Sequence, residues 1–111
     1  MNKTVACIFG TRPEAIKLAT VISELLSNGY RVINISTGQH TDMFDKVCQL
    51  FDLKISYRLN LPFGARSLTE TTTKILAGLE EIFTKECPEL VLVHGDTTST
   101  FCGALMSFYN K

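Results

Sequence analysis

The sequence of 111 residues contains no tryptophan, two histidines and no excess of either charge. Its eleven basic residues and eleven acidic residues cancel, so no overall field favours nucleic acid or an anionic membrane surface. Any anion binding must therefore be local. With 45% hydrophobic and 20% charged residues, the composition excludes intrinsic disorder, and the length predicts one domain with a single core.

Long hydrophobic runs and paired metal-binding residues are also missing. No run is long enough to span a membrane, and the apolar stretch Val5–Phe9 is too short for a signal peptide. The four cysteines form no CxxC pair, and the histidines lack a zinc-binding spacing. Cys7 and Cys102 lie within apolar runs, which predicts buried free thiols. We expect a cytoplasmic protein that binds no metal, no membrane and no nucleic acid.

Segments of strand and helix character alternate along the chain. Apolar segments rich in β-branched residues predict strands at Thr4–Phe9, Arg31–Ser36 and Leu90–Val93, the last being the clearest buried strand. A further short strand is predicted at Tyr57–Leu61. Helical spacing of apolar residues predicts helices at Pro13–Ser27, Thr41–Phe51, Ser67–Lys85 and Phe101–Tyr109, with a loop at Pro62–Arg66. This alternation predicts an α/β fold, a Rossmann-like doubly wound parallel sheet flanked by helices, over residues 1–111.

The turn after the first predicted strand carries the features of an anion site. The first N–H groups of a helix are unpaired and its amino terminus is partly positive, so a phosphate is stabilised there. Gly10 allows close backbone approach, and Pro13 suits the first helical position, which would make Arg12 the cap residue, with Lys17 about one turn further on. Glu14 complements the helix dipole. An ordinary strand-to-helix turn with solvated Arg12 and Lys17 fits these residues equally well.

Polar clusters follow three of the predicted strands, at Gly10–Lys17, Thr37–His40 and His94–Thr100. In a parallel sheet these clusters share the edge where the strands end, which is where such sheets bind ligands. Roles that need no ligand remain open for these residues: Asp96 can cap the last helix, His40 can be an exposed loop residue, and His94 can form a hydrogen bond at the sheet edge. The hydroxyls of residues 97–100 suit helix capping as well as an anion or a sugar.

At these clusters the chain resembles the non-hydrolysing UDP-N-acetylglucosamine 2-epimerases. The resemblance rests on the segments FGTRPEAIKL at residues 9–18, TGQH at residues 37–40 with Met43, and VLVHGDTTST at residues 91–100. It covers essentially the whole chain in order. It implies the amino-terminal domain of a two-domain enzyme of the GT-B type.

The resemblance also implies an activity. Members of this family interconvert UDP-GlcNAc and UDP-ManNAc for bacterial surface polysaccharides, by eliminating UDP to leave 2-acetamidoglucal and adding it back. They need no nicotinamide and no metal, so no cofactor is expected, and the expected ligand is UDP-GlcNAc or UDP. The resemblance assigns catalysis to Asp96, substrate binding to Gly10, Arg12, Lys17, His94 and Thr97, and a second, regulatory UDP-GlcNAc site to Gln39 and His40.

Family members continue beyond the residues that match this chain. The second domain and several acid/base residues of the family have no counterpart here, so we expect a truncated domain that does not catalyse epimerisation alone. A noncatalytic module that binds a nucleotide sugar or phosphate, or one half of a split enzyme, is the alternative. An unrelated nucleotide-binding Rossmann domain would require accidental motif matches. The strand Leu90–Val93 would lack a neighbour on its far side, which predicts a homo-oligomer formed through this exposed sheet edge.

Overall fold

The computed structural model describes residues 3–38, 42–59, 67–95 and 98–110. Strands and helices alternate along them, as the sequence predicts. The elements are β1 (Thr4–Phe9), α1 (Arg12–Ser27), β2 (Arg31–Ser36), α2 (Asp42–Leu50), β3 (Tyr57–Arg58), α3 (Leu68–Glu86), β4 (Leu90–Leu92) and α4 (Thr98–Tyr109). Residues 60–66, which include the predicted loop Pro62–Arg66, lie outside the described residues.

The four described strands form one parallel sheet in the order β3-β2-β1-β4. Val5 of β1 pairs with Val32 on one side and with Leu90 on the other. The chain moves outward from β1 to β3 and then returns to the opposite side of β1, so the strand order reverses between β1 and β4. This is the doubly wound, Rossmann-like arrangement predicted from the sequence.

Helices cover both faces of the sheet. On one face, Val5, Cys7 and Phe9 pack with buried residues of α1 and with Cys48 of α2. On the other face, Ala6, Ile8 and the isoleucines of β2 pack with buried residues of α3 and α4. Consecutive burial of residues 33–36 in β2 shows that this strand is covered on both sides.

Two helices begin earlier than the sequence predicts. Thr11, not Arg12, caps α1, because its hydroxyl accepts the Glu14 N–H at 3.5 Å, whereas arginine has no acceptor to offer. Pro13 is consequently the second helical residue. Helix α4 begins at Thr98 rather than at Phe101, since helical geometry includes the polar residues that precede its apolar part.

The prediction that Leu90–Val93 is the best-buried strand is wrong. Leu90 is 52% exposed, and residues 91–93 are half-buried. The reason lies in the sheet order: among the described strands, β4 is the edge strand next to β1. An apolar sequence gives no information on how many neighbours a strand has.

The thiols differ in their exposure. Cys7 and Cys102 are buried and free, as predicted, and so is Cys48, whereas Cys87 is exposed where α3 ends. Burial raises the pKa of the Cys7 thiol to about 12, so this thiol is a hydrophobic packing group rather than a nucleophile. Of the helices in the described part of the chain, none is both long and apolar enough to cross a membrane.

Candidate functional site

The predicted ligand-binding edge is formed by the turns that follow β1, β2 and β4. The turns after β1 and β2 touch each other, and the turn after β1 also approaches the start of α4. A Cβ atom placed on Gly10 after β1 would lie 2.6 Å from the Thr37 hydroxyl, which follows β2, and 2.7 Å from the Ser99 hydroxyl at the start of α4. Thr37 and Ser99 are buried and hydrogen-bonded to each other.

Backbone contact holds the first two turns together. A Cβ atom on Gly38 would lie 2.1 Å from the carbonyl oxygen of Gly10, so only glycine fits at position 38. The small size of Gly10 and Gly38 is thus accounted for by packing between turns. The assignment of Gly10 to substrate binding remains a prediction.

Glu14 is the acidic residue brought most deeply into this edge. Its side chain is buried, and its Oε1 atom accepts the Gly10 N–H at 2.7 Å. The sequence analysis gave Glu14 only a role in complementing the helix dipole and missed this contact. A signal was available, since Thr11 and Glu14 have the spacing of a capping box. Here the carboxylate reaches the N–H one residue before the cap.

Arg12 and Lys17, the predicted phosphate-binding residues, are both exposed on α1. They are five residues apart, which places them about 140° apart around the helix, so they do not share one face. Both side chains are long enough to approach an anion from the solvent side. The helix therefore offers two separate positive charges near its start rather than a single paired cluster.

The third turn is described in part. His94 is half-buried, and its carbonyl oxygen accepts the Thr100 hydroxyl at 2.8 Å. This is a local backbone contact within the last polar cluster. Ligand contact by the His94 imidazole remains a prediction. Four predicted site residues lie outside the described residues, namely Gln39, His40, Asp96 and Thr97.

Together these residues form an edge whose charged and polar groups lie partly at the surface and partly beneath it. The guanidinium of Arg12 and the ammonium of Lys17 lie outside, while the Glu14 carboxylate and the hydroxyls of Thr37 and Ser99 lie beneath. Such an arrangement suits an anionic ligand bound by side chains at the carboxyl ends of the strands. Within the described segments, no group of three or more His, Cys, Asp or Glu residues could hold a metal ion.

Comparison with known proteins matches this chain to one family. The profile of the UDP-N-acetylglucosamine 2-epimerase family matches residues 24–111. The chain belongs to this family. The UDP-N-acetylglucosamine 2-epimerase of Neisseria meningitidis is 45% identical over 108 residues, which cover 96% of this chain and 29% of that protein.

Solved structures of epimerases share the fold described above. The Neisseria meningitidis UDP-GlcNAc 2-epimerase bound to UDP-GlcNAc superimposes with a TM-score of 0.90 at 46% identity, over 96% of this chain and 29% of that chain. The S. aureus MnaA–UDP structure gives a TM-score of 0.89 at 43% identity, over 97% of this chain and 28% of that chain. The chain therefore spans less than a third of the length of these relatives and corresponds to their amino-terminal part.

Proposed function

We propose that this chain forms the amino-terminal part of a UDP-GlcNAc 2-epimerase. The observation that carries the proposal is its likeness, at 46% identity and a TM-score of 0.90, to an epimerase structure bound to UDP-GlcNAc. The convergence of three polar turns at the switch point of the sheet supports the same conclusion. The complete enzyme would have the GT-B arrangement, act in the cytoplasm and serve polysaccharide synthesis.

The proposed reaction is an elimination followed by an addition. A base removes the proton from C2 of the sugar, the bond between C1 and the diphosphate oxygen breaks, and UDP leaves with that electron pair. UDP then adds back to C1 of the 2-acetamidoglucal while C2 receives a proton on its opposite face. This chemistry requires a positioned acid or base near C2 and positive charge near the departing diphosphate.

The residues of this chain divide between those two requirements. We assign Arg12 and Lys17 to the diphosphate, because they provide exposed positive charge beside the turn after β1. We assign Asp96 to acid/base catalysis and His94, Thr97 and Gly10 to substrate contacts, since they follow β4 and β1 in the sequence. Gln39 and His40 would contact a second, regulatory UDP-GlcNAc.

Alone, the chain would not catalyse epimerisation, because it spans only 29% of the length of its Neisseria relative. Incubation with UDP-GlcNAc, followed by NMR, should show no UDP-ManNAc. Formation of UDP-ManNAc at a rate proportional to protein concentration would contradict this proposal. A noncatalytic nucleotide-binding module is the second candidate, favoured by the packing of the turns after β1 and β2 against each other and against Ser99.

Titration calorimetry with UDP tests for the binding site itself. Arg12→Ala should weaken UDP binding about tenfold, as expected for loss of a charge-assisted contact. Arg31→Ala is the matched control, because Arg31 begins β2 at the opposite end of the sheet. Equal effects of the two substitutions would argue for nonspecific attraction, and absence of UDP binding by the unsubstituted chain would remove the binding proposal.

We also propose that the chain self-associates through the edge of β4. Leu90 on this strand is 52% exposed, and Phe101 on the adjacent helix α4 is 59% exposed. A groove of about 710 Å³ runs between the end of α3, the start of β4 and the end of α4. An apolar strand edge of this kind promotes pairing with another chain.

A further inference from the structure

Glu14 lies where the strand order reverses, between the turns that follow β1 and β4. Its Oε1 atom accepts the Gly10 N–H at 2.7 Å, on the β1 side. Its Oε2 atom lies 3.7 Å from the position that a Cβ atom on Gly95 would occupy, on the β4 side. The carboxylate therefore accepts a hydrogen bond from the turn after β1 and faces the turn after β4.

The burial of Glu14 requires compensation. Its side chain is 4% exposed, and an ionised carboxylate is costly to bury unless it accepts hydrogen bonds or lies in a positive potential. The Gly10 N–H and the amino terminus of α1 provide both. The carboxylate thus takes the place at the start of α1 that an external anion would otherwise occupy.

The contacts of Gly10 show how strongly this turn is constrained. Glu14 holds its N–H, the hydroxyls of Thr37 and Ser99 pack against its Cα, and Gly38 packs against its carbonyl oxygen. Gly95, on the opposite side of Glu14, has a φ of +90°, a conformation that favours glycine. Glycine is therefore favoured in both turns, on either side of the carboxylate.

We propose that Glu14 is a positioning residue of the nucleotide-sugar site. Its carboxylate fixes the turn after β1 against the turn after β4, and so sets the separation between Arg12 and the residues that follow β4. A ligand phosphate is then bound by side chains such as Arg12, because Glu14 already occupies the Gly10 N–H. This inference rests on the proposed function, since it concerns the same site.

Two substitutions separate the length of Glu14 from its charge. Glu14→Gln keeps the length and an acceptor oxygen, whereas Glu14→Asp keeps the charge but is one methylene shorter. Glu14→Gln should leave hydrogen exchange of the Gly10 amide within about threefold of the unsubstituted chain and UDP affinity within about twofold. Glu14→Asp should raise that exchange rate about tenfold, shift the Gly95 amide signal in NMR spectra and weaken UDP binding about tenfold.

The matched controls are Glu80→Gln and Glu80→Asp, at an exposed glutamate of α3. They should alter neither glycine signal nor UDP affinity. A lower melting temperature for Glu14→Asp with unchanged glycine signals and UDP affinity would overturn the proposal, because Glu14 would then act only in stability. Tighter UDP binding by Glu14→Gln would overturn it as well, since Glu14 would then act by repelling the ligand.

The two proposals can fail separately. If the unsubstituted chain does not bind UDP, the binding proposal fails, while exchange at Gly10 and the signal of Gly95 still decide whether Glu14 holds the two turns together. If Glu14→Asp does not fold, Glu14→Gln decides alone. Weaker UDP binding by Glu14→Gln with unchanged Gly10 exchange and an unchanged Gly95 signal would overturn the positioning role, because Glu14 would then act through its charge and not through the position of the turns.

Discussion

At the scale of single residues, the contact between Tyr57 and Glu86 joins β3 to the end of α3. The Tyr57 hydroxyl donates to the Glu86 carboxylate at 2.5 Å, and Arg31 donates to the same carboxylate at 3.1 Å. The hydrogen bond from Tyr57, with help from Arg31, lowers the pKa of Glu86. The same hydrogen bond raises the pKa of Tyr57. The contact is therefore strongest at pH values above the pKa of Glu86 and below the pKa of Tyr57.

This contact predicts a pH dependence of stability. The stabilisation linked to Glu86 is present above its unfolded pKa of about 4.3 and is lost as pH falls through the lower folded value. That linked to Tyr57 is present below about pH 10 and is lost as pH rises through the higher folded value. Tyr57→Phe should lower the melting temperature at pH 7, and the difference should shrink below about pH 4.

Thermal unfolding followed by circular dichroism at pH 3, 7 and 9 measures this effect. Tyr30→Phe is the control, because it removes a hydroxyl from a tyrosine that is 38% exposed elsewhere on the surface. A Tyr57→Phe difference that is equal at pH 3 and pH 7 would show that the lost hydroxyl matters through packing and not through the Glu86 charge. The half-exposed Arg31 should contribute little by itself.

At the scale of elements, the close approach of α4 to the sheet depends on Gly103. A Cβ atom on this residue would lie 2.8 Å from Val93 Cγ1 and 3.0 Å from Ile8 Cδ1. Glycine inside a helix costs about 1 kcal/mol of stability relative to alanine. The close packing that Gly103 allows offsets this cost. The helix is held against β1 and β4 at a distance that larger residues would increase.

Gly103→Val should therefore destabilise the chain by about 1–3 kcal/mol through overpacking. Ala104→Val is the control, because Ala104 is the next residue of α4 and is exposed. It should cost less than about 1 kcal/mol, the difference in helix propensity. Urea unfolding of both variants checks the prediction, and a loss for Gly103→Val no larger than that for Ala104→Val would contradict overpacking, because helix propensity by itself favours valine over glycine.

The limits of sequence analysis are visible in the same elements. The sequence predicts the bounds of β1 and β2 as they are observed, because segments rich in β-branched residues and bounded by turn residues define them. Helix α1 begins one residue earlier than the sequence predicts, because the hydroxyl of Thr11 fixes the cap and the preference of proline for the first helical position does not. The burial of Glu14 was missed because helical spacing shows which side a residue lies on, but not whether a side chain folds back onto the preceding turn.

At the scale of the whole molecule, the exposed edge of β4 predicts concentration-dependent self-association. Leu90→Lys should shift the chain towards monomer, because a charge on an edge strand opposes strand pairing. Sedimentation velocity across a range of concentrations measures the shift. Leu68→Lys is the control, since Leu68 is 77% exposed on α3 but does not lie on β4. A strictly monomeric unsubstituted chain would contradict the oligomer proposal.

The exposed thiol of Cys87 is a labelling site beside the edge of β4. Three of the four thiols are buried, and burial raises the pKa of Cys7, Cys48 and Cys102, which slows their reaction with thiol reagents. Cys87 lies beside Leu90 in the groove at the start of β4. A maleimide-linked fluorophore or nitroxide would therefore attach selectively next to the strand edge. A label on Cys87 would therefore detect any chain that pairs with β4, and no substitution in the sequence is needed to attach it.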